Sequence, residues 1–246
     1  SILTNNTANS NNQYGIYIGS SSSIFTNNTA NNNNQYGIFI YFSSNNIFTN
    51  NTANTNQYGI YLYFSSKNIL TNNTANSNNQ TGISIVSSPN STLTNNKANN
   101  NNYGILFQYS SNNILTNNTA NNNNQYGIFF SSSSNNILTN NTASNNNYGI
   151  YLSISSNNIL TSNIAQNNTW DFYSKSNSIN NTVINLTSWQ NNLSFTSKDI
   201  ALKGLQPSDI NFSDPIGLRN ISKWINATNN SADSWLFVNF SYTDAD

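Results

Sequence analysis

Two kinds of short apolar run alternate along most of the chain, separated by polar stretches of Asn, Ser and Thr. One is three residues long, as in Ile69-Leu70-Thr71. The other is longer and aromatic, as in Tyr58-Gly59-Ile60-Tyr61-Leu62. Asn, Ser, Thr and β-branched residues are poor helix material, so both runs predict short strands. Their spacing is regular. A Thr-Asn-Asn tripeptide (Thr-Ser-Asn in the last copy) begins at Thr4, Thr26, Thr49, Thr71, Thr94, Thr116, Thr139 and Thr161, always 22 or 23 residues apart. Gly followed by Ile falls at Gly15, Gly37, Gly59, Gly82, Gly104, Gly127 and Gly149, and an eighth copy carries Trp170-Asp171-Phe172 instead. Residues 1–182 are therefore eight copies of one unit. A unit this short buries no core alone, so the copies must stack. The Leu pattern of leucine-rich repeats is missing, helical repeats need longer units, and a hairpin array would want Asn-Gly turns, of which there are none. The remaining architecture is an all-β parallel β-helix with one coil per repeat, rising about 4.8 Å per coil.

Side-chain alternation then predicts faces. Ile16, Ile38, Ile60, Ile83, Ile105, Ile128 and Ile150 form one inward ladder; Ile18, Ile40, Leu62, Ile85, Phe107, Phe130 and Leu152 form a second, with Phe64 inward too. The opposite parity holds Tyr17, Phe39, Tyr61, Phe129 and Tyr151, an expected surface aromatic row that either braces the sheet or stacks on sugars. In the short strand, Lys97 argues against burying the parity of Leu70, Asn72 and Thr74, because an unpaired buried Lys is costly. Ile69, Thr71, Asn73 and Ala75 are therefore expected inside. That leaves an exposed Leu/Phe row from Leu3 to Leu160, unless a sharp corner turns both Ile and Leu inward. It also makes a structural ladder of Asn6, Asn28, Asn51, Asn73, Asn96, Asn118, Asn141 and Asn163. The Gly before Ile is expected to supply a turn conformation that needs no Cβ.

Composition narrows the chemistry. Asn is 62 of 246 residues, only 6% are charged, the net charge is zero, all seven acids are Asp, and Cys, Met and His are absent. Usual zinc and copper sites, disulfides and Cys or His catalysis are excluded, and no cofactor is expected. Without a basic patch, nucleic acid is not an expected partner. Apolar runs of a few residues predict no membrane span. Residues 1–170 hold no Asp or Glu, whereas glycoside hydrolysis ordinarily takes two carboxyls. The chain is accordingly expected not to be an enzyme. Asn-x-Ser/Thr sequons occur at Asn5, Asn27, Asn50, Asn72, Asn79, Asn90, Asn117, Asn140, Asn167, Asn180, Asn185, Asn192, Asn211, Asn220, Asn226, Asn229 and Asn239, and those in surface loops are candidate N-glycan acceptors.

The unit NNILTNNTANNNNQYGIFF resembles the right-handed parallel β-helix repeats of NosD-like proteins and of carbohydrate-binding or sugar-hydrolase (CASH) domains. More closely, coil and tail together resemble the repetitive cell-surface proteins of methanogenic archaea. There, similar coils run into a stretch like WDFYSKSNSINNTVINLT and a small β-rich module like ISKWINATNNSADSWLFVNFSYTDAD. The copper role attached to the NosD name does not carry over without His, Met or Cys. Charge and Pro concentrate after residue 170, and residues 183–246 are expected to form a small, sandwich-like β module, cut short at its end. The chain also begins in mid-coil at Ser1-Ile2-Leu3-Thr4, with no signal peptide. The resemblance implies an extracellular structural protein that builds or decorates a cell-surface layer, sheath or filament. Independently, the unpaired backbone at the open ends of such a stack is expected to drive self-association, head to tail by preference, with cell-surface glycans as a further expected contact. The main alternative is a carbohydrate-binding or adhesive module; a polysaccharide-active enzyme is the lesser one.

Overall fold

The structure, a computed structural model, describes residues 1–19, 21–188, 191–205 and 224–238. It is all-β in these residues and its strands fall into two sheets. Each coil contributes a three-residue strand to one sheet and a five- or six-residue strand to the other. In the first two coils these are β1 (Ile2–Thr4), β2 (Tyr14–Ile18), β3 (Ile24–Thr26) and β4 (Tyr36–Tyr41). The pattern continues to β15 (Ile159–Thr161) and β16 (Trp170–Lys175), and equivalent strands pair in parallel and in register from coil to coil. A third side is drawn by single bridges, Thr7 to Thr29 to Thr52 and onward.

The expected boundary at 182/183 falls inside β17 (Asn181–Ser188), which still pairs in parallel with β15. What changes beyond it is direction. β18 (Asn191–Lys198) and β21 (Trp235–Val238) extend the first sheet antiparallel, while β19 (Ile200–Leu205) and β20 (Trp224–Asn229) extend the second.

Corners explain much of the Asn content. In the second coil the chain turns at Asn27, Asn32, Phe42 and Asn45, with φ of 56°, 56°, 47° and 59°. Asn tolerates this left-handed region better than other residues with a Cβ. The same corner device corrects the inward assignment of the short strand. Leu70 is fully buried and Ile69 is 45% exposed, because the left-handed Asn72 reverses parity between Leu70 and Asn73. Asn73 and Ala75 are buried, while Thr71 is half-buried. The row expected to be exposed is thus core from Phe25 through Phe48, Leu93, Leu115 and Leu138 to Leu160. Outside lies a stripe of Ile2, Ile24, Ile47, Ile69, Ile114, Ile137 and Ile159. Phe64, expected inside, is likewise turned out by its own left-handed corner.

The Gly role is also corrected. No described Gly has positive φ; each of the seven is instead crowded. Gly and the following Ile both face inward as a bulge, and a Cβ on Gly104 would stand 2.6 Å from the Gly127 carbonyl oxygen and 2.7 Å from Asn123 Nδ2.

Polar ladders thread the interior. Asn28 Nδ2 donates to Asn51 Oδ1 at 2.9 Å, Asn51 to Asn73 at 2.9 Å, and so on to Asn141 and Asn163 at 3.0 Å. Asn6 starts this ladder from an exposed first coil. A second Asn ladder runs from Asn11 to Asn168, a mixed Asn/Ser one from Asn46 to Asn181, and a Ser one from Ser43 to Ser178. In each ladder the bond from one rung to the next points toward the C-terminal coil, so the last member needs an acceptor. Asp171 accepts from Asn168 Nδ2 at 3.0 Å and from Ser188 Oγ at 2.5 Å, and Asp199 accepts the Ser178 N–H at 2.8 Å. An ionised carboxylate is acceptor-only, which suits these two ends of the solenoid.

Candidate functional site: an aromatic outer face

The bulge at each Gly places residues three apart on the same outer face of the long sheet. Two aromatic columns result. One is Tyr14, Tyr36, Tyr58, Thr81, Tyr103, Tyr126, Tyr148 and Trp170; the other is Tyr17, Phe39, Tyr61, Ser84, Leu106, Phe129, Tyr151 and Tyr173. Strict alternation assigns the first column inward, so the sequence pattern finds only the second. Of the expected surface row, Tyr17 is 51% exposed, Phe39, Tyr61 and Phe129 are half-buried, and Tyr151 is only 4% exposed. Tyr151 is covered by Tyr126, Tyr148, Phe129 and Tyr173, whose ring centroids lie 4.7–5.3 Å away, and is therefore a buried residue of that row.

Thr81 and Ser84 in the fourth coil interrupt both columns. Tyr61, the last ring before the gap, stands at 66–74° to Phe39, Tyr36 and Tyr58, whereas Tyr14, Tyr36 and Tyr58 stack within 13–17° of one another in successive pairs. The face is thus two aromatic platforms. On the first, Tyr14, Tyr17, Phe39 and Tyr41 line an open depression of about 360 Å³. Its rings have two orientations: Tyr14 and Phe39 lie within 14° of each other, while Tyr17 is tilted 50° to Tyr14 and Tyr41 46° to Phe39. Phe42 extends the rim, 57% exposed and in edge contact with Tyr41 at 4.4 Å. Its φ of 47° belongs to a corner that is left-handed in successive coils, as at Phe64, Ser87, Tyr109, Ser132 and Ile154.

Charge is nearly absent from this face. Among the described residues its first cation is Lys175 at the far end, 5.6 Å from the centroid of the Tyr151 ring. Burial, followed by the fields of neighbouring phenols, pushes Tyr61 and Tyr126 up to about 12; burial and Tyr148 do the same for Tyr151. Tyr36 and Tyr173 are raised for the same reasons. Phenols of the unfolded chain titrate near pH 10. The stability these groups contribute is therefore complete below pH 10 and lost as pH rises toward 12. The melting temperature is expected to fall over that interval. A melting temperature that stays level from pH 10 to pH 12 would contradict the covered face.

The sequons are placed elsewhere. Asn5, Asn27, Asn50, Asn72, Asn117 and Asn140 are exposed left-handed corners beside the short sheet, and Asn90, Asn167, Asn180 and Asn185 are exposed at other left-handed positions. Asn79 and Asn229 are exposed as well. Asn211, Asn220 and Asn239 lie outside the described residues, as do the side chains of Asn192 and Asn226. Glycopeptide mass spectrometry of the protein from a glycosylating host is expected to place sugar on some of Asn27, Asn50, Asn72, Asn117 and Asn140. Asn28, Asn51, Asn73, Asn118 and Asn141 should carry none, since these side chains are buried in the ladder. Sugar on the second Asn of any pair is the contrary result.

The described residues hold no group of three or more His, Cys, Asp or Glu able to bind a metal, and no helix among them is long and apolar enough to cross a membrane. Comparison with curated proteins finds no match. Solved structures do match. They include a variant of the periplasmic alginate epimerase AlgG, at 21% identity and TM-score 0.66 over 71% of this chain and 47% of that one. The A-module of the Azotobacter vinelandii mannuronan C-5 epimerase AlgE4 matches at 17% identity and TM-score 0.62, over 68% and 54% of the two chains. The Dettilon tailspike protein matches at 15% identity and TM-score 0.57, over 75% and 53%. The chain spans about half the length of these proteins. They overturn the expectation that the chain is not an enzyme: two of the three are epimerases built on the same fold. A family model for the right-handed β-helix region matches residues 1–75 and 53–200, two overlapping stretches that take in all eight coils, and the chain belongs to that right-handed β-helix family.

Proposed function

We propose that the chain is a polysaccharide-engaging β-helix of the extracellular or periplasmic space, with the outer aromatic columns as its contact surface. The observation that carries this reading is the depression at Tyr14, Tyr17, Phe39 and Tyr41, with Phe42 on its rim. A sugar ring has an apolar C–H face and a rim of hydroxyls. Tyr offers the matching combination of apolar ring and polar tip at low entropic cost. The alginate and mannuronan named for the similar epimerase structures, and the periplasmic setting named for AlgG, support the same reading. On a printed glycan array the protein is expected to label polysaccharides, and a Tyr17→Ala/Tyr41→Ala/Phe42→Ala variant to lose that labelling while keeping its melting temperature, because all three side chains are exposed. Eluted glycans should be analysed for epimerised or shortened products, so that turnover is read alongside binding. An array with no labelled polysaccharide refutes the reading.

The isoleucine stripe favours a second reading, self-association of the solenoids within a surface layer or filament. Seven β-branched side chains protrude from one flat sheet, on a lateral surface with almost no charge to keep copies apart. Ile69→Lys/Ile114→Lys is expected to abolish any concentration-dependent mass increase in analytical ultracentrifugation. A protein that stays monomeric at every concentration removes this reading.

A further inference from the structure

The charge pattern of the aromatic face selects among polysaccharides. Resting on the reading above, we propose that the face takes a neutral polysaccharide and discriminates against polyuronates such as alginate. Binding a uronate chain strips water from one carboxylate per sugar, and each stripped carboxylate must meet a cation or a set of donors to offset the loss. The first platform offers no cation, and its side-chain donors are single phenol hydroxyls rather than a charged or bidentate set. Its outward columns are Tyr14, Tyr36 and Tyr58 beside Tyr17, Phe39 and Tyr61, and the next positions along the strands are Tyr41 and Tyr63. The only two cations of the first 169 residues face other sides: Lys67 stands at a left-handed corner leading to the short strand β7 (Ile69–Thr71), and Lys97 sits in the bridge row that makes the third side. Lys175 lies against Tyr151 on the second platform, beyond the Thr81/Ser84 gap. A neutral chain loses no ionic hydration on such a surface, and ring contact is left as net gain. The similar epimerase structures share the fold with this chain; the charge-free platform is a property of its own sequence.

Affinity electrophoresis in native gels tests this directly. Gels are cast with a neutral β-glucan (laminarin or hydroxyethylcellulose), with mannan, or with alginate, and each is run at low and at high salt. Retardation is expected in at least one neutral gel and should be insensitive to salt. Alginate should bind more weakly by roughly tenfold or more, equivalent to about 1.4 kcal/mol of uncompensated carboxylate desolvation. Lys175→Gln should leave the neutral retardation unchanged, and Tyr17→Ala/Tyr41→Ala/Phe42→Ala should remove it. Stronger, salt-sensitive retardation by alginate overturns the neutral assignment while leaving polysaccharide binding intact. Retardation by no glycan, in agreement with an unlabelled array, overturns both.

Discussion

Replacing Ile105 by Asp is expected to leave the protein unfolded, or too unstable to purify, at ambient temperature. Ile105 is fully buried and stands in register between Ile83 and Ile128 of the adjacent coils. The substitution removes about 1.5–3 kcal/mol of apolar burial. It also places a carboxylate where the surrounding ladder is hydrocarbon, and the amide donors of the nearby Asn ladders are already engaged by the coils on either side. The sum exceeds about 4 kcal/mol, against total stabilities of about 5–15 kcal/mol for folded domains. Ile105→Val, which keeps the apolar contact, should cost about 0.5–1.5 kcal/mol. The short strand β11 (Ile114–Thr116) supplies the sharper comparison. Leu115→Asp should be as damaging as Ile105→Asp, because Leu115 is fully buried, while Ile114→Asp next to it should change stability by no more than about 0.5 kcal/mol. Urea melts of the three variants decide the matter. Equal damage at positions 114 and 115 would mean that the corner at Asn117 does not reverse parity as described.

The second large effect is expected at Gly104. A Cβ there would meet the Gly127 carbonyl oxygen at 2.6 Å, Asn123 Nδ2 at 2.7 Å and Ala120 Cβ at 2.9 Å. Two of these are parts of the stack that cannot swing aside, and the third belongs to a buried Asn ladder. Gly104→Ala is therefore expected to destabilise by about 1–3 kcal/mol through overpacking, and larger residues by more. Gly19→Ala is the control: its nearest contact, the Tyr41 carbonyl oxygen, would be at an ordinary 3.7 Å. If both substitutions melted like the parent, the close approach of coil to coil at the bulge would be wrong.

These two sites show where sequence pattern suffices and where it stops. The repeat length, the strand positions and the ladder headed by Ile16 are legible because period and alternation report directly on stacking and burial. The short strand is misread because parity is carried through Asn72 as though the backbone stayed extended. The Asn pair at each corner does hold the needed signal, since one Asn is suited to the left-handed turn and the other to the ladder. Gly104 is read as a turn residue because sequence does not distinguish a Gly needed for its φ from one needed for its missing Cβ. That same bulge hides Tyr14, Tyr36, Tyr126 and Tyr148 from an alternation argument, so half of the aromatic face emerges only in three dimensions. Nothing in the sequence marks Asp171 and Asp199 as ladder ends; that role shows only with the ladders they terminate.

The first aromatic platform is the proposed sugar-binding surface. The direct measurement is a crystal structure of the full chain soaked or co-crystallised with a neutral oligosaccharide that retards the protein in gels. Electron density for sugar rings against Tyr14, Tyr17, Phe39 and Tyr41, with Phe42 at the rim, is the expected result. Sugar ordered only on the isoleucine stripe or at the corners, with those five rings bare, would contradict it.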